Sequence, residues 1–364
     1  MRGRLLSYLF VLLMLGCADE YPEPDAFVDY EYPDFAQINR AELGILNDEI
    51  AEGKFGDMHS LIILRNDKII FENYYKGFRR NDIHPMGTAT QSIVSALTGI
   101  MLQTQNGLRL DTAIIHFFPQ YAALFNNIPQ KDKINIFHLL NNSAGFWWKE
   151  LGLEDDDVNN DAYAMTQSAD WVSHVLATPM IREPGFEFNL NSGLSVLMAP
   201  IIQSITGSEL DAFAREHLFD VLDIKQWDWE RIPGGMVNAS WGLSLRPIDM
   251  AKIGYLYLQN GTWKDRELFD TSWLSRSTRY RYAVTNYFGF GYLWWRFANN
   301  ATAVESLKVN DVFFAMGDGG QFLVVVPHLD MVVVMTAGNF ENGETYAVNI
   351  LKDYIFPAVK DRFL

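Results

Sequence analysis

The sequence predicts an α+β domain, an antiparallel sheet flanked by helices with a mostly helical subdomain inserted at about residues 110–260. Three observations lead there. Residues 59–75 hold two apolar, β-branched runs separated by a polar tetrapeptide. A buried-type helical stretch, SIVSALTGIMLQ, follows after a short loop. The last third of the chain returns to short strands before one final helix.

Each element has its own signal. HSLIILRNDKIIFENYY reads as a hairpin turning at Arg65-Asn66-Asp67-Lys68, because polar turn formers interrupt two strand-forming runs. The helix after it has apolar residues at helical spacing and stops near Asn106-Gly107. Within the helical block, Ser195–Ile205 reads as one apolar helix. Pro247 suits the first turn of another, which ends at Asn260-Gly261. YFGFGYLWW, VFFAMG, QFLVVVP and MVVVMTAG each read as a strand, aromatic or β-branched and bounded by turn residues. Glu344–Val359 supplies the last helix.

At 364 residues and 49% hydrophobic, the chain can bury a large core. Its net charge of −16 disfavours nucleic acid as a partner, since phosphate backbones would be repelled. Residues 1–16 carry Arg2 and Arg4 ahead of an apolar run too short to span a bilayer. Cys17, the single cysteine, follows at once. This reads as a bacterial lipoprotein signal with cleavage before Cys17 and a lipid on its thiol. The alternative is an ordinary secretory signal with an incidental cysteine. Residues 17–35, rich in acids and proline, read as a tether, and 36–364 as one domain. One thiol allows no internal disulfide.

Five segments, taken in order, resemble the serine β-lactamase and penicillin-binding-protein superfamily. The nearest branch is that of class C β-lactamase-like esterases and 6-aminohexanoate-dimer hydrolases. GTATQSIVSALTGIMLQ resembles its nucleophile helix, FHLLNNSAGFWW a cleft loop, and PGFEFNLNSG its tyrosine segment. WGLSLRPIDMAKIGYLYLQNG resembles a scaffold stretch, and GDGGQFLVVVP the strand pair with its basic motif. The resemblance implies a β-lactamase-like fold and a serine hydrolase cleft with no cofactor and no metal.

Carried over position by position, the catalytic groups are replaced. The serine position is Thr88, the activating lysine Gln91, the relaying tyrosine Leu190 and the basic strand residue Asp318. Gln91 takes no proton, Leu190 has none to relay, and Asp318 repels a substrate carboxylate. The resemblance further implies an oxyanion hole from the backbone N–H groups of Thr88 and Gln321. It places Asn191, Ser192, Gly319 and Gly320 at the cleft. Trp147 and Trp148 are candidates for one wall and equally for the core.

Thr88-Ala89-Thr90-Gln91 also fits a helix capping box, in which Thr88 caps and Gln91 reaches back. Glu154–Asp161 lacks the glycine and distal glutamate of an EF-hand loop and reads as a solvated loop. The seven histidines show no metal-ligand spacing. The expectation is therefore a lipid-anchored envelope protein, catalytically impaired, that binds a small-molecule or peptide ligand in the old cleft. The alternative is a hydrolase of amide, ester or β-lactam bonds with Thr88 as nucleophile.

Overall fold

A computed structural model describes residues 37–359 apart from 106, 127, 129 and 299–308. The signal segment, Cys17 and the tether lie outside the described residues.

A first helix, α1 (Arg40–Ala51), precedes the hairpin of β1 (Met58–Arg65) and β2 (Lys68–Tyr74). The hairpin turns through Asn66 and Asp67, both left-handed at φ 51° and 62°, a conformation these two residue types tolerate. The short strand β3 (His84–Pro85) leads into α2 (Thr90–Thr104).

The middle of the chain is built from α3 (Ile136–Leu140), α4 (Asp161–Thr166), α5 (Trp171–Ala177), α6 (Ser192–Val196), α7 (Met198–Thr206) and α8 (Leu210–Ala214). Two short strands, β4 (Trp227–Trp229) and β5 (Leu243–Leu245), then precede α9 (Pro247–Leu258). The small pair β6 (Thr262–Trp263) and β7 (Arg266–Glu267) and the helix α10 (Thr271–Ser277) follow.

The chain returns to the sheet with β8 (Tyr282–Ala283), β9 (Phe288–Gly291), β10 (Trp294–Phe297), β11 (Phe313–Gly317), β12 (Gln321–Val326) and β13 (Met331–Ala337). It closes with α11 (Gly343–Ile350), a π turn and α12 (Phe356–Ala358).

The main sheet has eight strands in the order β2-β1-β13-β12-β11-β10-β9-β8, with antiparallel pairing throughout. Both faces are covered, which is why its central strands read as unbroken apolar runs. Along β13, Val332 and Val334 face the core shared with α2 and α9. Met331, Val333 and Met335 face the core shared with α1 and α11.

Two elements differ from the sequence reading. The apolar helix expected at Ser195–Ile205 is divided into α6 and α7 at Leu197. Pro200 has no N–H to return to the Val196 carbonyl, so the regular ladder cannot run through it. YFGFGYLWW is a hairpin and not one strand, turning at Tyr292 and Leu293 with φ 45° and 66°. Neither residue announces a turn. Their side chains are buried, Ser92 Oγ donates to the Leu293 carbonyl at 2.6 Å, and Tyr292 N donates to Asn141 Oδ1 at 3.3 Å. Tertiary contacts hold a turn that local preference disfavours.

Candidate active-site cleft

One wall forms where the start of α2 meets the turn between β11 and β12. β3 pairs with β5, and Met86 N donates to Leu243 O at 2.9 Å, which fixes the approach to the helix. A 3₁₀ turn, Gly87–Ala89, then joins α2. A Cβ added to Gly317 would lie 2.1 Å from the Met86 carbonyl, and one on Gly87 would lie 3.2 Å from Asp318 N. Only glycine at 317 lets the two backbones come this close.

Thr88 is therefore set beside Asp318. Its Oγ1 donates to Asp318 Oδ2 at 3.2 Å and to Met316 O at 3.3 Å, one proton shared between two acceptors. The capping box expected here does not form. A cap needs an extended residue whose side chain turns onto the first free N–H groups. Thr88 lies inside the 3₁₀ turn, Met86 before it is already helical at ψ −12°, and no side chain caps either helix start. Gln91 is buried and does not reach back; its Nε2 donates to Ser240 Oγ at 3.1 Å. Thr90 Oγ1 accepts from Leu243 N at 3.2 Å, so both side chains tie α2 to the segment before α9.

The turn itself is packed tightly. Gly319 and Gly320 have φ of 78° and 94°, and Asn339 N donates to the Gly319 carbonyl at 2.8 Å. Gln321 pairs with Gly317 at the first rung of the β11–β12 ladder. Its buried side chain donates to Asp318 O at 3.0 Å and Ala337 O at 2.6 Å and accepts from Ala337 N at 3.2 Å. That side chain is a staple across the end of the sheet. Phe340, largely exposed, stands beside Gly319.

The second wall joins the loop after α3 to the segment before α6. Asn142, left-handed at φ 50°, accepts on its carbonyl from Asn189 N at 2.7 Å and on Oδ1 from Asn191 N at 3.0 Å. Asn189 Nδ2 donates to Phe146 O at 3.3 Å and Trp148 O at 3.0 Å. Leu190 between them is half-buried, while Asn191 and Ser192 are buried. The two tryptophans have separate fates. Trp147 is 50% exposed, with Lys149 Nζ 5.7 Å from its ring, and Trp148 is core.

Glu150 is the residue that the sequence reading missed. Its carboxylate is deeply buried and accepts from Ser192 N at 2.8 Å, from Trp148 Nε1 at 2.7 Å and from Ser192 Oγ. Burial pushes its proton affinity up, the three donors pull it down, and the charge of Asp318 pushes it up further. Asp155, on the loop read as merely solvated, is raised by partial desolvation and then by Asp318 and its acidic neighbours. The only sequence signal was an acid two places after Trp148. Asp318 on one wall and Glu150 on the other thus share one field. Among the described residues no cluster of histidine, cysteine and acidic groups is placed to hold a metal ion.

The arrangement sets a hydroxyl among acidic and neutral polar groups. Thr88 has a carboxylate for company, a neutral amide stands one turn on, and the facing wall carries a second acid.

Comparison with known proteins bears on the fold that carries this site. No curated protein sequence matches the chain. Among solved structures, it is similar to a Bacillus anthracis protein assigned as a 6-aminohexanoate-dimer hydrolase, at 17% identity and a TM-score of 0.71 over 91% of this chain and 88% of that one. It is similar to EstCE1, a hydrolase with promiscuous acyltransferase activity, at 13% identity and 0.68, covering 88% and 97% of the two chains. A penicillin-binding-protein homologue from Caulobacter crescentus gives 14% identity and 0.65 over 86% and 95%. These likenesses show the fold, an antiparallel sheet flanked by helices as in serine hydrolases of this type. The family model described as Beta-lactamase matches residues 57–352, from β1 to the π turn after α11, and the chain belongs to that family.

Proposed function

We propose that this is an envelope lipoprotein whose serine hydrolase-like domain does not perform the family reaction and uses the cleft to bind a small-molecule or peptide ligand. The observation that carries the reading is Gln91. It stands one turn after the nucleophile position, where the family has its lysine, and its neutral, buried amide is spent on Ser240. A neutral amide neither accepts the hydroxyl proton nor favours an alkoxide. Leu190 offers no relay, and the Asp318 carboxylate beside Thr88 opposes negative charge developing there.

A second reading has one observation in its favour. Asp318 Oδ2 lies within hydrogen-bond reach of Thr88 Oγ1, so a carboxylate is placed where a general base would stand. The deciding experiment is covalent labelling of the purified protein with a fluorophosphonate and with a fluorescent penicillin. No labelling is expected. Labelling that Thr88→Ala and Asp318→Asn both abolish would replace the first reading with the second.

The envelope placement rests on the basic, apolar leader that ends at Cys17. Cys17→Ser should leave the membrane fraction. A variant as membrane-bound as the parent would remove the lipid anchor from the reading.

A further inference from the structure

At the corner where α10 meets the edge strand β8, three arginines lie within six residues, Arg276, Arg279 and Arg281. The chain carries 45 acidic and 29 basic residues, so an unmatched basic corner runs against its average. Among the described residues none of the three makes an ion pair. Through its charge Arg276 does act on one carboxylate, that of Asp270. Its Oδ1 is already occupied as the cap of α10, accepting from Trp273 N at 2.7 Å and Ser272 Oγ at 2.8 Å.

Two of the three guanidiniums, those of Arg276 and Arg281, are held by the fold. Arg281 lies over the Tyr292 ring at 4.4 Å and the Phe137 ring at 5.5 Å, and its Nη2 donates to Arg276 O at 3.0 Å. Arg276 sits 5.8 Å from the Trp273 ring, with Nε donating to Ser272 O at 3.1 Å. Arg279 is exposed, and its side chain makes no hydrogen bond or ion pair among the described residues. Ring faces and carbonyls orient a guanidinium without neutralising it. Arg281 shows the consequence. Its Nε is buried with no hydrogen-bond partner, and burial lowers its proton affinity, with the charges of Arg279 and Arg276 acting in the same direction. Like charges held close on a partly desolvated platform are stabilised by an anion, and the guanidinium fork matches carboxylate and phosphate oxygens.

We propose that Arg276, Arg279 and Arg281 form an anion site that takes the carboxylate or phosphate group of a ligand, using none of the four family catalytic positions. It therefore stands whether or not the cleft is catalytic.

Titration calorimetry of the full-length protein at low ionic strength, with citrate and with inorganic phosphate, tests it. One saturable site is expected for at least one anion, weakening as salt rises. Tighter citrate assigns a carboxylate ligand, and tighter phosphate a phosphoryl ligand. Arg279→Ala removes an exposed side chain that supports nothing in the fold. It should weaken binding roughly tenfold or more, the scale of one charge-assisted hydrogen bond. Arg281→Lys keeps the charge but loses the fork and should also weaken it. Arg109→Ala, at an exposed arginine paired with Asp111, should leave it unchanged. Absence of a saturable site for both anions, or equal binding by the parent and Arg279→Ala, overturns the proposal.

Discussion

The two walls of the cleft are built by different means. The Thr88–Asp318 wall is a backbone construction, in which glycines bring the start of α2 onto the end of the sheet. The Glu150–Ser192 wall is a side-chain construction of asparagines, a tryptophan and a buried carboxylate bonded to one another. Backbone geometry survives replacement of the side chains it presents, so the first wall should tolerate changes at Thr88 and Asp318. The second wall has no such freedom. Its bonds run between buried or half-buried groups, and Asn142 Nδ2 and Asn191 Oδ1 are already left without partners, so the loss of a further partner is costly.

The strongest test of this contrast tries to restore chemistry on the backbone-built wall. A variant combining Thr88→Ser, Gln91→Lys, Leu190→Tyr and Asp318→His should become acylated by a fluorescent penicillin, while each single change stays near background. Catalytic groups that act as a unit are strongly non-additive, so the gain over the best single variant should be roughly a thousandfold. A folded, unreactive quadruple variant would mean that the cleft has been remodelled beyond its side chains.

On the other wall the large effect falls on stability. Glu150→Ala strands the Ser192 and Trp148 donors in the interior and should lower the unfolding free energy by about 3 kcal/mol in urea denaturation. Glu150→Gln, which keeps acceptor capacity, should lower it by about 1 kcal/mol. Equal losses would mean that the charge matters more than the hydrogen bonds.

A smaller effect concerns the base of the first wall. His84 on β3 faces His59 on β1, with Nε2 to Nδ1 at 2.7 Å, and its own Nδ1 lies 2.9 Å from the Pro85 carbonyl. That carbonyl only accepts, so Nδ1 of His84 carries its proton and Nε2 accepts from His59. The other side of His59 faces Asp57 at 3.2 Å, and Phe78 stacks on its ring. A second proton on His84 would set two N–H groups against each other. Burial, first, and the charge of His59 lower the proton affinity of His84 from its usual value near 6.5. The stabilisation is therefore complete above that pH and is lost as pH falls towards the lowered folded value. Stability measured between pH 7 and 5 should fall by about 1 kcal/mol, the scale of one buried hydrogen bond, and His84→Gln should flatten that segment of the curve. An unchanged slope in the variant would assign the acid sensitivity elsewhere.

The smallest effect is expected at Thr88. With no capping role, Thr88→Ala gives up one shared, partly exposed hydrogen bond and should cost less than about 1 kcal/mol. A loss above 2 kcal/mol would make the hydroxyl a structural member of this wall.

Much of the fold was legible in local pattern. The Asn66-Asp67 turn, the apolar runs of β1, β12 and β13 and the Pro247 start of α9 follow from preferences acting over a few residues. So does membership of the family, which rests on motifs read in order. The Tyr292-Leu293 turn, the new partners of Thr88 and Gln91, the separation of Trp147 from Trp148 and the burial of Glu150 were not legible. Thr88 meets Asp318 across 230 positions of chain, and Gln91 meets Ser240 across 149. At such separations a side chain's choice between capping its own helix and bonding a distant acceptor turns on packing. Short-range propensity differences of about 1 kcal/mol are overridden by it.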